Sequence, residues 1–183
     1  MTARSARHRA QAGYTLIEVI IATAIGLMVM SALTSVIVTT VIGTNAATSR
    51  VEASSQVRTF ELSAYDDFAL SRPPAPTGCG TGPGDLCTTQ QMTLRGSRMP
   101  NQVGGVATPY TVVYAWDPGL HQITRTTGGA SRVAASNVTG FTWYVNTNGA
   151  QPVVVVSMSV TVGFYNTTYT DSQTFLFYPR VTA

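Results

Sequence analysis

The residue with the clearest chemical consequence is Glu18, a lone carboxylate at the start of a long apolar run. From Val19 to Ile42 the chain has no charged residue. Residues 1–13 contain no acid and include Arg4, Arg7, His8 and Arg9. A carboxylate inside a bilayer costs a few kcal/mol or more, so it normally has a partner and a role. The alternative is that Glu18 only caps the first helical turn, where a negative charge meets the helix dipole.

The apolar run is long enough to span a membrane as a helix. Its length of about 24 residues corresponds to roughly 36 Å, against a hydrocarbon core of ~30 Å. The basic residues before it predict that the N-terminus stays in the cytoplasm. A secretory signal peptide fits poorly, because its apolar core would be only ~7–15 residues and its small-residue cleavage site would follow that core. Here the small residue, Gly13, precedes the run.

The segment Gly13-Tyr14-Thr15-Leu16-Ile17-Glu18 closely resembles the processing site of type IV pilins and pseudopilins. The resemblance implies that a prepilin peptidase cuts the Gly13–Tyr14 bond and that Tyr14 is then N-methylated. The family more often has Phe at the position of Tyr14. Glu18 matches the glutamate that is the fifth residue after the cut. A carboxylate there can neutralise the new amine of a neighbouring chain and set the axial stagger between subunits, since an unpaired charge among apolar helices is costly.

Charge and cysteine content narrow the function further. All eleven basic residues are Arg, and three of them lie in the leader. Removal of the leader therefore leaves eight Arg against eight acidic residues. The mature chain is therefore near neutral, and the clustered basic footprint of a nucleic-acid-binding protein is absent. The two cysteines, Cys79 and Cys87, predict a short disulfide loop in an oxidising compartment, with two free thiols as the alternative. A zinc site is not expected, because the two cysteines lack the close spacing and the second Cys/His pair that such sites use.

The chain divides into five segments by composition and periodicity. The segments are a basic leader (1–13), the membrane-spanning or filament-core half of a helix (14–43), an amphipathic half of that helix (44–70), a Gly/Pro-rich loop with the cysteine pair (71–90) and an antiparallel β domain (91–183). In the amphipathic half, apolar residues recur at steps of three and four: Val57, Phe60, Ala64 and Phe68, flanked by Val51, Leu62 and Tyr65. The charged residues of this half, including Asp66 and Asp67, fall largely on the other faces.

The β domain is predicted from alternation and turn residues. Residues 91–95 predict a short strand, and 110–126 predict a hairpin closed by Asp117-Pro118-Gly119, with a break at Gly128-Gly129. Strands at 140–146, 154–162 and 174–178 follow, the first two joined by an Asn148-Gly149 turn. The expected fold class is α+β: a long N-terminal helix packed on one antiparallel meander, as the resemblance to type IV pilins also implies.

A second resemblance points to a subclass of that family. Short segments are similar to PilW-like minor pilins and J-type pseudopilins: Tyr114-Ala115-Trp116-Asp117, Ile123-Thr124-Arg125, Val133-Ala134, Val138-Thr139-Gly140-Phe141 and Phe177-Tyr178-Pro179-Arg180. Many major pilins have a proline within the first half of the helix, whereas this chain has none and Ser35 falls near the usual place. Both features favour a minor subunit.

No set of residues predicts catalysis, and no cofactor is expected. His121 is the only histidine after the leader, so a Ser-His-Asp set or a histidine metal site cannot be built. Asp66, Asp67 and Asp85 could help to bind calcium, but they lack the spacing of a calcium loop. The chain is therefore expected not to be an enzyme.

The function expected from these features is that of a minor pilin or pseudopilin. It would sit in the bacterial cytoplasmic (inner) membrane as a single-pass protein and then enter a type IV pilus, or a pseudopilus for type II secretion or DNA uptake, in a tip or priming complex. Its expected partners are other pilins, prepilin peptidase, a membrane assembly platform and, before assembly, the lipid bilayer. The alternatives are a major pilin and a membrane-anchored binding domain that never polymerises.

Overall fold

The computed structural model describes residues 13–75, 78–88, 91–98, 106–149, 151–164 and 167–179. The predicted leader therefore lies outside the described residues, except for Gly13. The chain forms two units, with the boundary between Thr44 and Asn45. Helix α1, Leu16–Ala69, supplies residues to both units.

In the first unit, the helical residues are exposed. Every residue from 16 to 44 is exposed, including apolar side chains such as Leu27 and Met28, which are more than two-thirds exposed. Hydroxyl groups along this stretch donate hydrogen bonds to carbonyls three or four residues earlier, at Thr23, Ser31, Thr34, Thr39, Thr40 and Thr44. Because these hydroxyls are satisfied within the helix, they are compatible with an apolar surrounding. Among the described residues, α1 is the one helix long and apolar enough to cross a membrane, judged by length and composition.

In the second unit, the helix buries a narrow stripe. The predicted stripe residues Val57, Phe60, Ala64 and Phe68 are all buried, and Ala53 extends the same stripe. Two parts of the prediction differ from the structure. Asp67, expected on an outer face, is 5% exposed, because it pairs with an arginine of the sheet. Val51, Leu62 and Tyr65, expected to flank the stripe, are each more than 60% exposed.

In the described residues, eight strands follow the helix and pair antiparallel. The first sheet has the order β1-β2-β3-β4-β5: β1 Ser71–Arg72, β2 Met92–Arg98, β3 Thr108–Asp117, β4 Gln122–Thr127 and β5 Ala130–Ala135. The second sheet has the order β6-β7-β8: β6 Val138–Asn146, β7 Val153–Phe164 and β8 Thr167–Phe177. The α+β class is confirmed, but the expected single sheet is two sheets.

The division into two sheets occurs at Asn137. This residue has a positive φ of 59°, which asparagine tolerates better than most residues, and it interrupts the chain between β5 and β6. The Gly128-Gly129 pair, expected only to break a hairpin, makes a tight turn with φ values of 57° and 82°. That turn joins β4 to β5, a strand that its sequence does not predict.

The core lies where both sheets meet the helix. The ring of Phe60 lies 5.7 Å from that of Tyr114 on β3, 6.0 Å from Phe141 on β6 and 5.7 Å from Phe175 on β8. Phe68 stacks on Phe177 with ring centroids 4.0 Å apart. Large aromatic contacts of this kind contribute about 0.5–1.5 kcal/mol each beyond area burial. The helix therefore binds both sheets through the same stripe.

Candidate functional site

The start of α1 is closed by a reciprocal pair of hydrogen bonds between Thr15 and Glu18. The main-chain N–H of Thr15 donates to Oε2 of Glu18 at 3.0 Å, and the Thr15 hydroxyl donates to the same oxygen at 3.1 Å. The N–H of Glu18 lies 3.4 Å from the Thr15 hydroxyl oxygen. This is the capping-box arrangement expected from a threonine followed three residues later by a glutamate. The carboxylate is thus held at the positive end of the helix.

The bond between Gly13 and Tyr14 precedes this cap. Both residues are non-helical and exposed, and Tyr14 is 87% exposed. A Cβ atom built on Gly13 would meet no other atom within 4 Å. The predicted processing bond therefore lies in an open segment, two residues before the helix begins at Leu16.

The second polar site was missed by the sequence analysis. Asp67 on α1 accepts hydrogen bonds from Nε of Arg125 at 2.6 Å and from a terminal nitrogen of the same side chain at 2.7 Å. The Tyr114 hydroxyl lies 2.7 Å from Oδ2 of Asp67, and the Tyr110 hydroxyl donates to the main-chain oxygen of Asp67 at 3.2 Å. The only available sequence signal was the position of Asp67 directly before the buried Phe68. The charge pair joins the helix to strand β4.

The electrostatics of this cluster suit a fixed structural role. The hydrogen bonds from Arg125 to Asp67 raise the pKa of Arg125 above its usual value, so the guanidinium stays charged. Burial, followed by the hydrogen bond to Asp67, raises the pKa of Tyr114, and burial also raises the pKa of Tyr110. None of these groups is poised to exchange a proton near neutral pH. In the described part of the chain no group of three His, Cys, Asp or Glu residues could hold a metal ion.

The three acids considered for calcium do not form one site. Asp67 is paired with Arg125, and Asp85 accepts hydrogen bonds from the main chain and the hydroxyl of Thr81 at 3.3 and 2.8 Å. Asp66 is exposed on the helix. The three carboxylates therefore lie in different environments and do not form a shared calcium site.

A disulfide joins Cys79 to Cys87 and closes the Gly/Pro-rich loop. The loop pairs with the outer edge of β6: Cys87 exchanges main-chain hydrogen bonds with Trp143 at 2.9 and 3.0 Å, and Val145 donates to Gly80 at 2.8 Å. Cys87 is fully buried. The disulfide loop therefore covers a strand edge that would otherwise be open, which is a common protection against wrong pairing.

Comparison with known protein families gives a match at the start of the chain. A family model described as the prokaryotic N-terminal methylation motif matches residues 8–34. No curated protein and no solved structure matches the chain. The matched range contains the capped carboxylate, the exposed Gly13–Tyr14 bond and the first turns of the uncovered apolar helix. The prepilin-type motif, together with the α+β fold, supports a type IV pilin-like or pseudopilin-like protein, and the motif points to a structural subunit rather than an enzyme.

Proposed function

We propose that this protein is a minor pilin or pseudopilin, incorporated through α1 into a type IV pilus or into a pseudopilus for type II secretion or DNA uptake. Prepilin peptidase cuts the Gly13–Tyr14 bond, and the new amine of Tyr14 is methylated. The subunit then enters a tip or priming complex. The observation that carries the proposal is the methylation motif at residues 8–34, which opens a helix whose apolar side chains from residue 16 to 42 are exposed.

The exposed apolar side chains of residues 16–42 favour transfer of this part of α1 from water into an apolar surrounding. An exposed apolar surface of this extent marks a membrane or protein contact in a soluble or anchored protein. Lipid covers it before assembly, and the helices of neighbouring subunits cover it in the filament. The basic residues before the helix favour a cytoplasmic N-terminus in the inner membrane, with residues 45–183 on the other side.

Glu18 sets the position of each subunit along the filament. The capping box holds its carboxylate at the start of the helix through one oxygen, Oε2, so Oε1 can accept a hydrogen bond from another group. The methylated amine of Tyr14 on an adjoining subunit is a cation of the right charge and position. Within an apolar bundle, such a pair is favoured because either charge alone would be strongly destabilising.

The minor role rests on sequence features. Residues 16–69 contain no proline, so α1 lacks the break that many major pilins have, and the resemblance to PilW-like and J-type subunits points the same way. A major pilin would share the fold, the motif and the assembly route. Quantitative mass spectrometry of purified filaments separates the two: a minor subunit is present at a small fraction of the most abundant pilin.

The experiment that tests incorporation is the substitution Glu18→Ala, with Glu52→Ala as a matched control on the exposed side of the same helix. We expect the Glu18 variant to reach the membrane and to be absent from sheared filaments, while the Glu52 variant is incorporated like the wild type. Wild-type incorporation of both variants would contradict the assembly role of Glu18. Absence of the wild-type protein itself from sheared filaments, with filaments and function unchanged in the Glu18 variant, would instead favour a membrane-anchored binding domain that does not polymerise.

A further inference from the structure

A groove separates the exposed side of α1 from strand β8 in the second unit. Its volume is about 530 Å³. The helix contributes Arg58, Glu61, Leu62 and Tyr65 to its walls, and the strand contributes Asp171 and Gln173. A second depression begins at Tyr65 and continues toward the C-terminal end of the helix, beside Leu176 and Tyr178.

Strand β8 is the last strand of its sheet, so one of its edges is open in the described part of the chain. It runs from Thr167 to Phe177, a length of 11 residues, and pairs with β7 along this whole length without a register shift. In an antiparallel strand, about half of the residues turn their main-chain N–H and C=O groups away from the neighbouring strand. The open edge therefore presents a straight row of hydrogen-bonding groups.

The other described sheet edges are short or covered. Strand β1 has only two residues. Strand β5 has six residues and an irregular register with β4, and the Gln56 side chain accepts a hydrogen bond at 2.9 Å from the N–H of Ser136, just after its end. The edge of β6 is paired with the disulfide loop. Long, regular and uncovered edges are a liability that proteins normally avoid, which makes β8 the exception.

Two exposed apolar side chains lie on the helix side of the groove. Leu62 is 68% exposed and Tyr65 is 62% exposed, although both lie on a helix whose opposite face is packed in the core. A strand paired with β8 would direct alternate side chains toward these two residues. The groove thus offers main-chain pairing on one wall and an apolar surface on the other, the two elements of peptide recognition by strand addition.

The charges of the groove select the sequence of that strand. Among the described residues, its walls carry three carboxylates, on Glu61, Asp66 and Asp171, and the guanidinium of Arg58, while Arg50 lies nearby over the ring of Tyr169. Asp171 is half-buried on the helix-facing side of β8, where its carboxylate accepts a hydrogen bond from Ser54 at 3.2 Å. The carboxylates outnumber these guanidinium groups, so a strand that brings a cation to Asp171 is favoured over an acidic one.

We propose that this groove binds an extended strand of another protein subunit, which pairs with the edge of β8 and places a Lys or Arg side chain against Asp171. Phe60 contacts Phe175 and Phe68 contacts Phe177, so Leu62 and Tyr65 lie level with positions four to six residues after Asp171. In an antiparallel pairing, the partner strand therefore has apolar residues four and six positions before the basic residue, facing Leu62 and Tyr65. The interaction uses a different surface from residues 16–44 of α1 and does not depend on the proposed filament function.

The test uses the full-length protein in detergent and a fluorescent nine-residue peptide that alternates threonine and valine and has arginine as its eighth residue, so that valines lie four and six positions before the arginine. Fluorescence anisotropy measures its binding beside that of two matched peptides, one with glutamate in place of the arginine and one with N-methylated main-chain amides. We expect the arginine peptide to bind at least about tenfold more tightly than either, since a like charge and a lost edge pairing each disfavour the complex.

Variants of the protein locate the binding. Asp171→Arg should reverse the preference toward the glutamate peptide, and Asp171→Asn should remove it. Leu62→Lys should weaken binding of the arginine peptide, while Val51→Lys, an equally exposed change outside the groove, should not. Equal binding of all three peptides, no binding of any, or an unchanged preference in Asp171→Arg would each overturn the proposal. Self-association that Asp171→Arg abolishes would assign the groove to a second copy and would also overturn it.

Discussion

Replacing Asp67 by asparagine should destabilise the second unit more than any other single change to a charged residue of α1. The side chain makes two hydrogen bonds to Arg125, at 2.6 and 2.7 Å, and one to Tyr114 at 2.7 Å. The side chains of the ion pair are only 10% and 6% exposed. Asparagine keeps the size and one acceptor but leaves the guanidinium buried without a counter-charge. Removing one partner of a buried pair costs about 3–5 kcal/mol, so we expect a loss near 3 kcal/mol.

The assay is urea unfolding of the full-length protein in detergent, followed by tryptophan fluorescence. With a urea m-value of about 2 kcal/mol/M, a loss of 3 kcal/mol lowers the midpoint by about 1.5 M. Asp66→Asn is the matched control, because Asp66 is the adjacent, exposed acid, and surface changes stay within about 0.5 kcal/mol. Replacing both charges, as Asp67→Leu with Arg125→Met, should recover most of the loss. A midpoint for Asp67→Asn equal to that of the control would refute this account of the ion pair.

Three further changes test the fold. Because burial raises the pKa of Tyr114, the folded state keeps the tyrosine proton above pH 10, whereas the unfolded state loses it. The free energy of unfolding should therefore fall above pH 10 by about 1.4 kcal/mol per pH unit. Urea unfolding at stepped pH should show a smaller slope for Tyr114→Phe. Replacing Cys79 and Cys87 by serine should lower the free energy of unfolding by about 2–3 kcal/mol, since the closed loop has a sequence separation of 8. Gly96→Ala should destabilise by about 1–3 kcal/mol, because the new Cβ would overlap the main-chain oxygen of Leu70, whereas Gly140→Ala makes only ordinary contacts and should cost less than 1 kcal/mol.

Each of these has an outcome that would contradict it. The tyrosine prediction is wrong if Tyr114→Phe and the wild type lose stability at the same rate above pH 10. The disulfide prediction fails if the double serine variant and the oxidised wild type unfold at one urea concentration. Equal midpoints for the two glycine variants would show that the sheet accommodates a side chain next to the end of α1.

Local patterns predicted the elements that depend on local physics. The spacing of Val57, Phe60, Ala64 and Phe68 predicted the buried stripe, and each of the four is buried. The turn at Asp117 joins β3 to β4 as expected, with the Asp117 carboxylate accepting hydrogen bonds from the main chain two and three residues later. These features follow from periodicity and turn chemistry, which act over a few residues.

Features that depend on distant partners were not predictable in this way. Asp67 is buried because it pairs with Arg125, which lies 58 residues later in the chain. The sequence around Asp67 does not indicate that partner. Strand β8 begins at Thr167, seven residues before the predicted start, because its polar first half pairs with β7. Hydroxyl pairs across the two strands, such as Ser159 with Ser172 and Thr161 with Thr170, are 2.9 Å apart. Such a strand is specified by cross-strand contacts rather than by apolar alternation.

In the candidate sites too, local features were predictable from the sequence and features that depend on distant residues were not. The residue types from Gly13 to Glu18 were sufficient to predict the motif, which the family match at residues 8–34 confirms. The capping box shows that Glu18 caps the helix through Oε2, which leaves Oε1 for the proposed assembly contact. The groove beside β8 could not be predicted, because it exists only where a sheet edge and an exposed helix side lie next to each other.

The most direct test of the central claim is mass spectrometry of the N-terminal peptide of the protein purified from its native membrane or filament. The account predicts a peptide that begins at Tyr14 and carries a methyl group on its amine. A chain that still begins at Met1, or one cut beyond residue 30, would contradict it.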